Sequence, residues 1–376
     1  MEAVSCSIAR ELALINAVVI TVPENEMGAA ETKLAAVPEV QSYEEDKYVK
    51  WIRAETPALP AFEFPAVKGL VPAFTPSGKS RNPINPPSPH PAQPGADGKL
   101  PWGIARVNAP AAWKSNMGAG VKVAVIDTGI DYKHAALAAN VKGGFNAVDE
   151  KNPDNFMDDQ GHGSHVSGTI AGVYNNGSGA GGSGVIGVAP KASLYGVKVL
   201  DAEGGGSYST IIAGIEWAVK NKMQVANMSL GAPKGSDALH QAIIAAKKAR
   251  LVIMAAAGND SGGPVGFPAA YPETICISAS NDQDAFASFS SKGPEVQFIA
   301  PGEDVLSAKL GGGYITHSGT SMATPHMTGL GALAVASGAK GFTGVKDALM
   351  KAAAKLPGLA ADEQGYGLVN AAKLAR

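Results

Sequence analysis

Short apolar runs of β type alternate with helical patterns along most of this chain, and this alternation restricts the possible folds more than any other feature. The runs that read as strands lie at 121–126, 194–200, 225–229, 252–257, 274–279 and 296–300. Between them, residues 210–221 and 236–250 carry helical spacing, as in Ile211, Ile215 and Val219. This order predicts an α/β fold: a three-layer sandwich with a mostly parallel sheet flanked by helices.

The composition changes along the chain and divides it into three parts. Residues 53–98 are rich in proline and have no helical or strand period, which predicts an extended linker. The α/β domain is expected at 99–376. Before the linker, residues 1–52 predict a small, partial α+β segment with strands at 16–23 and 40–48 and a helix at 26–36.

Charge, hydropathy and cysteine content exclude several classes of protein. The formal net charge of −2 gives no reason to expect binding to nucleic acid or to an anionic membrane. No run of 18 uninterrupted apolar residues is present, so no membrane-spanning helix is predicted. Of the two cysteines, Cys6 lies in the N-terminal segment and Cys276 in the α/β domain, so no structural disulfide between them is predicted. Cys276 is expected to be buried in a strand.

Four separate segments supply the residue types that acyl transfer needs. Asp127 ends the apolar run in VAVIDTGID, and His162 stands between two glycines in GHGSHVSG. Ser321 lies in SGTSMATPH, and Asn259 follows an apolar run in AAAGND. An acid, a general base, a nucleophile and a donor to an oxyanion are the parts of a hydrolytic site.

The positions of these residues agree with one site. Asp127 and Asn259 each come just after a predicted strand, and parallel sheets bind ligands beyond the carboxyl ends of their strands. Ser321 is expected at the start of a helix of small residues, where the helix dipole favours negative charge. We therefore expect these side chains to meet at one edge of the sheet.

The order Asp, His, Ser with these flanking residues resembles the subtilisin-like serine proteases, the subtilase family, over residues 99–376. The resemblance implies a serine endopeptidase that forms an acyl-enzyme. In it, Ser321 is the nucleophile, His162 the general base and Asp127 the residue that orients His162. Asn259 and the main-chain N–H of Ser321 would stabilise the oxyanion. His165 is expected to be a structural residue of the helix.

The resemblance extends to the N-terminal segment. The string VQSYEEDKYVKW at 40–51 is similar to the end of the subtilase propeptide, an intramolecular inhibitor. Only the second half of that inhibitor domain is recognisable. Either a first strand, a first helix and a signal peptide lie upstream, or the prosegment is degenerate and folds only against the catalytic domain. Cleavage is expected near residues 51–53, with removal extending toward residue 98.

The resemblance also bears on localisation and assembly. The propeptide resemblance favours export, although the start of the sequence (MEAVSCSIARELALIN) is not a signal peptide. A cytoplasmic location is the alternative, since intracellular members of the family lack signal peptides. A monomer is expected.

The resemblance also implies how a peptide would bind. Substrate is expected as an added strand between residues 204–206 and 229–231. The residues expected to contact it are Gly204, Gly205, Gly206, Tyr208, Ile211, Ser229, Leu230 and Gly231. The pocket for the side chain before the scissile bond (P1) is expected to be lined by Ala256, Ala257, Gly258 and Gly266. Broad specificity with an apolar preference at P1 follows.

A calcium site is predicted at an unusual place. The calcium site most typical of the family lacks its carboxylate here, because the chain reads HAAL at 134–137, and a glycine-rich run at 175–184 replaces the loop that completes it. A different acidic loop precedes His162, and clustered oxygen ligands suit calcium. A solvated turn is the alternative for this loop. Its members are Asp149, Asn152, Asp154, Asp158 and Asp159. No organic cofactor is predicted.

Three rival interpretations remain to be tested. A catalytically silent relative could serve as a binding or scaffold protein, although all four chemical positions are filled. The sedolisin-type acid peptidases share the fold but place Glu and Asp where this chain has His162 and Asn259. An aspartic protease would need two matching Asp loops whose carboxylates share a proton, and the chain reads Asp-Thr-Gly at 127–129 and Asp-Ser-Gly at 260–262.

Overall fold

The computed structural model describes residues 6–52, 100–173 and 184–374 of the 376-residue chain. The whole predicted linker lies outside the described residues, and so does most of the glycine-rich run at 175–184. In chain order, the described strands are β1 (Ser7–Leu12), β2 (Ala17–Thr21), β3 (Tyr48–Lys50), β4 (Lys122–Asp127), β5 (Val141–Asn146), β6 (Ser193–Lys198), β7 (Gly205–Ser207), β8 (Val225–Met228), β9 (Val252–Ala256), β10 (Ile275–Ser280), β11 (Val296–Pro301), β12 (Val305–Ala308), β13 (Tyr314–His317), β14 (Ala353–Ala354) and β15 (Leu368–Val369). The described α-helices are α1 (Met27–Ala35), α2 (Trp102–Arg106), α3 (Ala109–Trp113), α4 (His162–Ala171), α5 (Tyr208–Lys220), α6 (Asp237–Lys248), α7 (Thr320–Ala336), α8 (Gly341–Ala352) and α9 (Ala361–Gln364).

The central sheet has nine strands in the order β14-β15-β11-β10-β9-β8-β4-β6-β5. All neighbours from β15 to β5 pair in parallel, and β14 alone in this sheet runs antiparallel to its neighbour. The six predicted strands are β4, β6, β8, β9, β10 and β11, each within about two residues of its predicted ends. The predicted α/β sandwich with a mostly parallel sheet is confirmed.

The sheet is buried on both faces because successive side chains of a strand point to opposite sides. On β4, Val123 and Val125 belong to one apolar core, which also holds residues of α4 and α7. Ala124 and Ile126 belong to a second core, which holds residues of α5 and α6. The middle layer therefore has continuous apolar strands rather than an alternating pattern.

The helices on the second face begin where their sequence predicts. The side chain of Ser207 accepts a hydrogen bond from Thr210 N at the start of α5, and Ser236 accepts one from Leu239 N at the start of α6. Such side-chain caps satisfy amide groups that have no partner inside the helix. Ile211 and Ile215 are fully buried, as their spacing predicts.

Helices α4 and α7 lie side by side on the other face of the sheet. The carbonyl of Ile170 is 3.3 Å from the position that a Cβ on Gly329 would occupy. Ile170 is eight residues beyond His162, and Gly329 is eight residues beyond Ser321. The first turn of α4 contacts the end of β4 through His162 and Asp127, and the first turn of α7 contacts the end of β8 through Ser321 and Ser229. Because β4 and β8 are parallel neighbours, the two helices start at the same edge of the sheet.

The N-terminal segment packs on the second face. Strands β1 and β2 form an antiparallel pair, and Leu12 is buried in the core that holds α5 and α6. The predicted helix is present as α1. The predicted strand at 40–48 is wrong for residues 40–47, which form no regular element, and only residues 48–50 make a strand, paired with β7. Within the described residues, no helix has both the length and the apolar character needed to cross a bilayer.

Candidate active site

Asp127 and His162 form a buried pair at the carboxyl edge of the sheet. Asp127 ends β4 with no exposed surface, and His162 begins α4 with 4% of its surface exposed. The two oxygens of Asp127 lie 2.8 and 3.0 Å from His162 Nδ1. Because a carboxylate can only accept hydrogen bonds, Nδ1 carries the proton, and Nε2 is then the proton acceptor of the neutral ring.

Two glycines explain how His162 comes so close to β4. Gly161 precedes the helix with a φ of 109°, a conformation that favours glycine. A side chain on Gly163 would collide with the carbonyl of Gly129, and Gly163 N donates to Thr128 Oγ1 at 2.9 Å. The first turn of α4 therefore lies directly on the loop that follows Asp127.

The acidic loop before His162 does not form the predicted calcium site. Both oxygens of Asp158 already accept hydrogen bonds. Oδ1 accepts from Thr128 Oγ1 and from the amides of Gln160 and Gly161. Oδ2 accepts from the amide and the hydroxyl of Ser164. Asp149 accepts from Lys151 N and Asn152 Nδ2.

The other acidic residues of this loop do not form a set of metal ligands either. Neither Asp154 nor any other acidic side chain completes a cluster with Asp149 and Asp158: in the part of the chain that the structure describes, no three His, Cys, Asp or Glu side chains converge as metal ligands. Asp158 instead holds the turn that presents His162, so these residues do not fit a bound calcium ion.

Ser321 lies in the first turn of α7, next to the predicted substrate-binding residue Ser229. Its hydroxyl donates to Ser229 O at 3.1 Å, and Ser229 Oγ donates to Ser321 O at 2.8 Å. Asn227 Nδ2 supports Ser229 Oγ at 2.9 Å. The serine is therefore held between the start of α7 and the end of β8.

Asn259 is oriented by Thr320. Its Oδ1 accepts from both the main-chain N and the Oγ1 of Thr320, each at 2.9 Å. Since Oδ1 is fixed by these donors, the amide Nδ2 faces the other way, as a hydrogen-bond donor. Asn259 and Ser321 line the same cleft.

The cleft contains most of the residues predicted for the P1 pocket. Ala256, Gly258 and Gly266 line it, and Ala257 does not, because Ala257 is buried in a small core beneath it. The other side chains that line it are chiefly apolar or small. They are Leu230, Ala232, Pro233, Pro264, Val265, Ser291 and Thr320, together with the charged Asp260 and, from the N-terminal segment, Trp51 and Ile52.

Residues 48–52 of the same chain occupy the place predicted for substrate. Val49 and Lys50 pair with Gly206 and Gly205 as an antiparallel strand. The amides of Trp51 and Ile52 both donate to Gly204 O, and Gly231 N donates to Trp51 O, each at 3.1 Å. Both strands that were predicted to bind a peptide are therefore bound to the N-terminal segment.

The side chain of Trp51 is almost fully buried in this contact. Its indole N donates to Gly206 O at 2.9 Å, and its ring lies edge-on to Tyr208 with 5.1 Å between centroids. Trp51, Tyr208, Ile211 and Leu230 belong to one apolar core.

Carboxylates of the N-terminal segment bind the starts of two helices. Glu44 accepts from Asp237 N and Ala238 N at 3.2 Å each, and it also accepts from the Ser236 hydroxyl. Asp46 accepts from Ser209 N at 2.9 Å. Negative charge at a helix N-terminus is stabilised by the free amides and by the helix dipole. These contacts fasten the segment beside the cleft.

A third acidic contact joins β3 to the loop before β7. The hydroxyl of Tyr48 donates to Asp201 Oδ2 at 2.6 Å. This hydrogen bond raises the pKa of Tyr48 to about 12. Burial alone would raise the pKa of Asp201, but the hydrogen bonds from Tyr48 and from the amides of Gly205 and Glu203 outweigh it and lower the pKa.

Two threonines of the site were missed by sequence reasoning. Thr320 orients Asn259, and Thr128 links Asp158 to the first turn of α4. Each is adjacent in sequence to a proposed catalytic residue, which was the available signal. His165 is predicted to be structural, and its Nε2 lies 3.1 Å from the carbonyls of Val305 and Ile315, inside the protein.

Comparisons with known proteins agree with this geometry. Residues 118–367 match the model of the subtilase family of peptidases. The chain is 50% identical to Subtilisin E of Bacillus subtilis over 240 residues, which is 62% of this chain and 60% of that protein. It is 49% identical to the Subtilisin of Bacillus pumilus over 240 residues, 62% of this chain and 84% of that protein.

A third relative carries a different name. The chain is 44% identical to the Intracellular serine protease of Paenibacillus polymyxa over 242 residues, 62% of this chain and 72% of that protein. The match thus spans about 60% of the length of relatives such as Subtilisin E. Because the family model covers well over half of the chain and includes all four predicted chemical positions, this chain belongs to the subtilase family.

Proposed function

We propose that this protein is a serine endopeptidase that hydrolyses peptide bonds through an acyl-enzyme. The observation that carries the proposal is the buried pair of Asp127 and His162, with Nδ1 of the imidazole between the two carboxylate oxygens. Ser321 lies in the first turn of α7, and Asn259 follows β9; both line the same cleft. Relatives named subtilisins support the same activity.

In the proposed mechanism, the four side chains have distinct roles. Nε2 of His162 takes the proton of the Ser321 hydroxyl as Oγ attacks the scissile carbonyl, and it then gives that proton to the leaving amine. Asp127 holds the imidazole in the required tautomer and stabilises the imidazolium. Asn259 Nδ2 and the main-chain N–H of Ser321 would donate to the oxyanion. Water and the same imidazole would release the acyl group.

We further propose that substrate binds as a strand between residues 204–206 and 229–231, with an apolar side chain at P1. The N-terminal segment supports this because its residues 48–52 already use the main-chain groups of both strands. Small and apolar residues beside Ser321 leave room for an apolar side chain. A peptide library cleaved chiefly after Lys, Arg, Asp or Glu would contradict this preference.

We propose that the N-terminal segment is an intramolecular inhibitor. It covers the substrate strands, and Glu44 and Asp46 bind the helices beside them. Cleavage near residues 51–53 would leave a product-like segment in the cleft. Purified Ser321→Ala chain should stay intact while the unaltered chain is processed, and normal processing of the variant would contradict self-cleavage.

The activity itself is tested with peptides. The processed chain should hydrolyse fluorogenic peptides with apolar P1 residues at neutral to alkaline pH, and Ser321→Ala should not. Activity confined to acid would favour an acid peptidase. A processed chain that binds such peptides without cleaving them would instead be a silent scaffold.

Export and a monomeric state are further expectations. One relative is named an intracellular serine protease, so a location inside the cell is the alternative. Fractionation of the producing cells, with detection of the processed chain in the medium, tests export. Light scattering of the processed chain tests the monomer.

A further inference from the structure

Lys198 places an ammonium group inside the protein next to the acid of the proposed triad. It is the last residue of β6 and pairs in register with Asp127, the last residue of β4. Its side chain is 6% exposed, although lysine is among the residue types that are least often buried. A buried ammonium group requires hydrogen bonds and opposite charge to offset the loss of water.

The ammonium group has three acceptors, which matches its three N–H donors. Lys198 Nζ donates to Thr128 O at 2.9 Å, to Leu200 O at 2.7 Å and to Asp159 Oδ1 at 2.7 Å. Thr128 directly follows Asp127, and Asp159 lies in the loop that leads into His162. One side chain therefore joins the turn that holds the acid to the loop that presents the base.

The charges around Lys198 are mostly negative. Asp127 and Asp158 are buried, whereas the side chain of Asp159 is 50% exposed. Asp201, three residues beyond Lys198, also lies within its electrostatic range. The carboxylate of Asp127, which contacts His162, favours a proton on the imidazole, and a nearby cation opposes it.

On the basis of the proposed function, we propose that Lys198 is a positioning residue of the triad. It fixes the Asp127 turn and the loop before His162 to each other through its three hydrogen bonds. Its charge offsets the surrounding carboxylates, so that His162 remains neutral and able to accept the proton of Ser321 at neutral pH.

The titration of His162 tests this without any turnover. The full chain carrying Ser321→Ala is labelled with ¹³C-histidine, and His162→Gln identifies the resonance. Lys198→Met should raise the midpoint of the His162 titration, because the opposing charge is gone. Lys198→Arg should keep it near the starting value. Asp159→Asn should lower it, because the ammonium group then loses its carboxylate partner.

Kinetics give a second readout. Loss of the three hydrogen bonds in Lys198→Met should lower kcat by about 10²-fold, the size of effect expected from a misplacement of about 1 Å, with a much smaller change in KM. Lys198→Arg should recover most of that loss. If Lys198→Met proves too unstable to isolate, Asp159→Asn still tests the proposal, since it removes a half-exposed carboxylate.

The outcomes separate the two proposals. A His162 midpoint that does not move in Lys198→Met and Asp159→Asn, or that moves in the same direction in both, would overturn the role of Lys198. If the unaltered processed chain cleaves no peptide, the proposed function fails, while the titration still decides whether Lys198 controls His162.

Discussion

Ser321 and Ser229 exchange hydrogen bonds, each hydroxyl donating to the carbonyl oxygen of the other residue, at 3.1 and 2.8 Å. The proposed nucleophile is therefore tied to the strand end that was predicted to bind substrate. In the proposed mechanism, His162 Nε2 accepts the proton of the Ser321 hydroxyl during attack. The bond from Ser229 Oγ does not need to break, so it can hold the first turn of α7 in place throughout.

Ser229→Ala should lower kcat by about 5- to 10-fold with KM little changed. The variant loses the bond that holds the main chain of Ser321 but keeps the carbonyl of residue 229, and a hydrogen bond of this kind contributes about 1 kcal/mol. Initial rates on one fluorogenic peptide measure the effect. Ser291→Ala, which alters a different hydroxyl of the cleft, is the control. Equal effects of the two substitutions would contradict the specific role of Ser229.

Asn259→Ala should lower kcat by about 10²–10³-fold, which is the loss known for removal of an oxyanion donor from subtilisin, a member of the same family. The amide donates to charge that develops only in the transition state, so KM should change little. Thr320→Val, which removes one of the two donors that orient Asn259, should have a smaller effect in the same direction. Initial rates over a range of peptide concentrations separate kcat from KM. A change confined to KM would assign Asn259 to substrate binding instead.

Tyr48→Phe should loosen the N-terminal segment and make its attachment to the α/β domain less sensitive to a fall in pH. The pKa of Asp201 is lowered in the presence of the Tyr48 hydroxyl, so this contact stabilises the segment above the ordinary carboxyl range and is lost as the pH falls through it. Hydrogen exchange of β7 in the Ser321→Ala chain measures the opening. We expect faster exchange in Tyr48→Phe near pH 7 and a smaller difference in acid.

The stability of the chain should fall as the pH decreases from about 6.5 to about 4, in part because of His326. Burial lowers the pKa of His326 to about 4, against the opposing effect of its hydrogen bond to Met322 O. The unfolded chain takes up this proton first, so stability is present above the unfolded pKa and is lost as the pH falls toward the folded value. A shift of this size corresponds to roughly 3 kcal/mol.

Calorimetry of the Ser321→Ala chain checks the effect of His326. Melting temperatures between pH 4 and 7.5 should decline less steeply in a chain that also carries His326→Gln. The slopes are compared, because the substitution alters packing against Gly103 at every pH. Parallel curves for the two chains would exclude His326 as a source of the pH dependence.

The strands of the central sheet could be predicted from sequence, and so could the positions of Asp127 and Asn259 at strand ends, whereas contacts between distant segments could not. Asp127 and Asn259 follow apolar runs that become β4 and β9, since a buried parallel strand has a local signature. The strand predicted at 40–48 is wrong for most of its length because pairing depends on a distant partner, and among the described residues β7 pairs with 48–50 alone.

The acidic residues show the same limit. Asp158 was predicted to bind calcium from its neighbours in sequence, but its oxygens accept from Thr128 and Ser164, which fold onto it. Glu44 and Asp46 fall within the predicted strand at 40–48, and they bind the starts of α6 and α5. Whether a carboxylate binds a metal ion or accepts hydrogen bonds depends on the hydrogen-bond donors that the tertiary structure places beside it.

The central claim is that Ser321 is a nucleophile activated by His162 and Asp127, and the most direct measurement is labelling by a fluorophosphonate. Intact mass and peptide mapping of the processed chain should show one phosphonyl group, on Ser321. The label should be absent in Ser321→Ala and strongly slowed in Asp127→Asn. No label, a label on another residue, or an unchanged rate in Asp127→Asn would contradict the account.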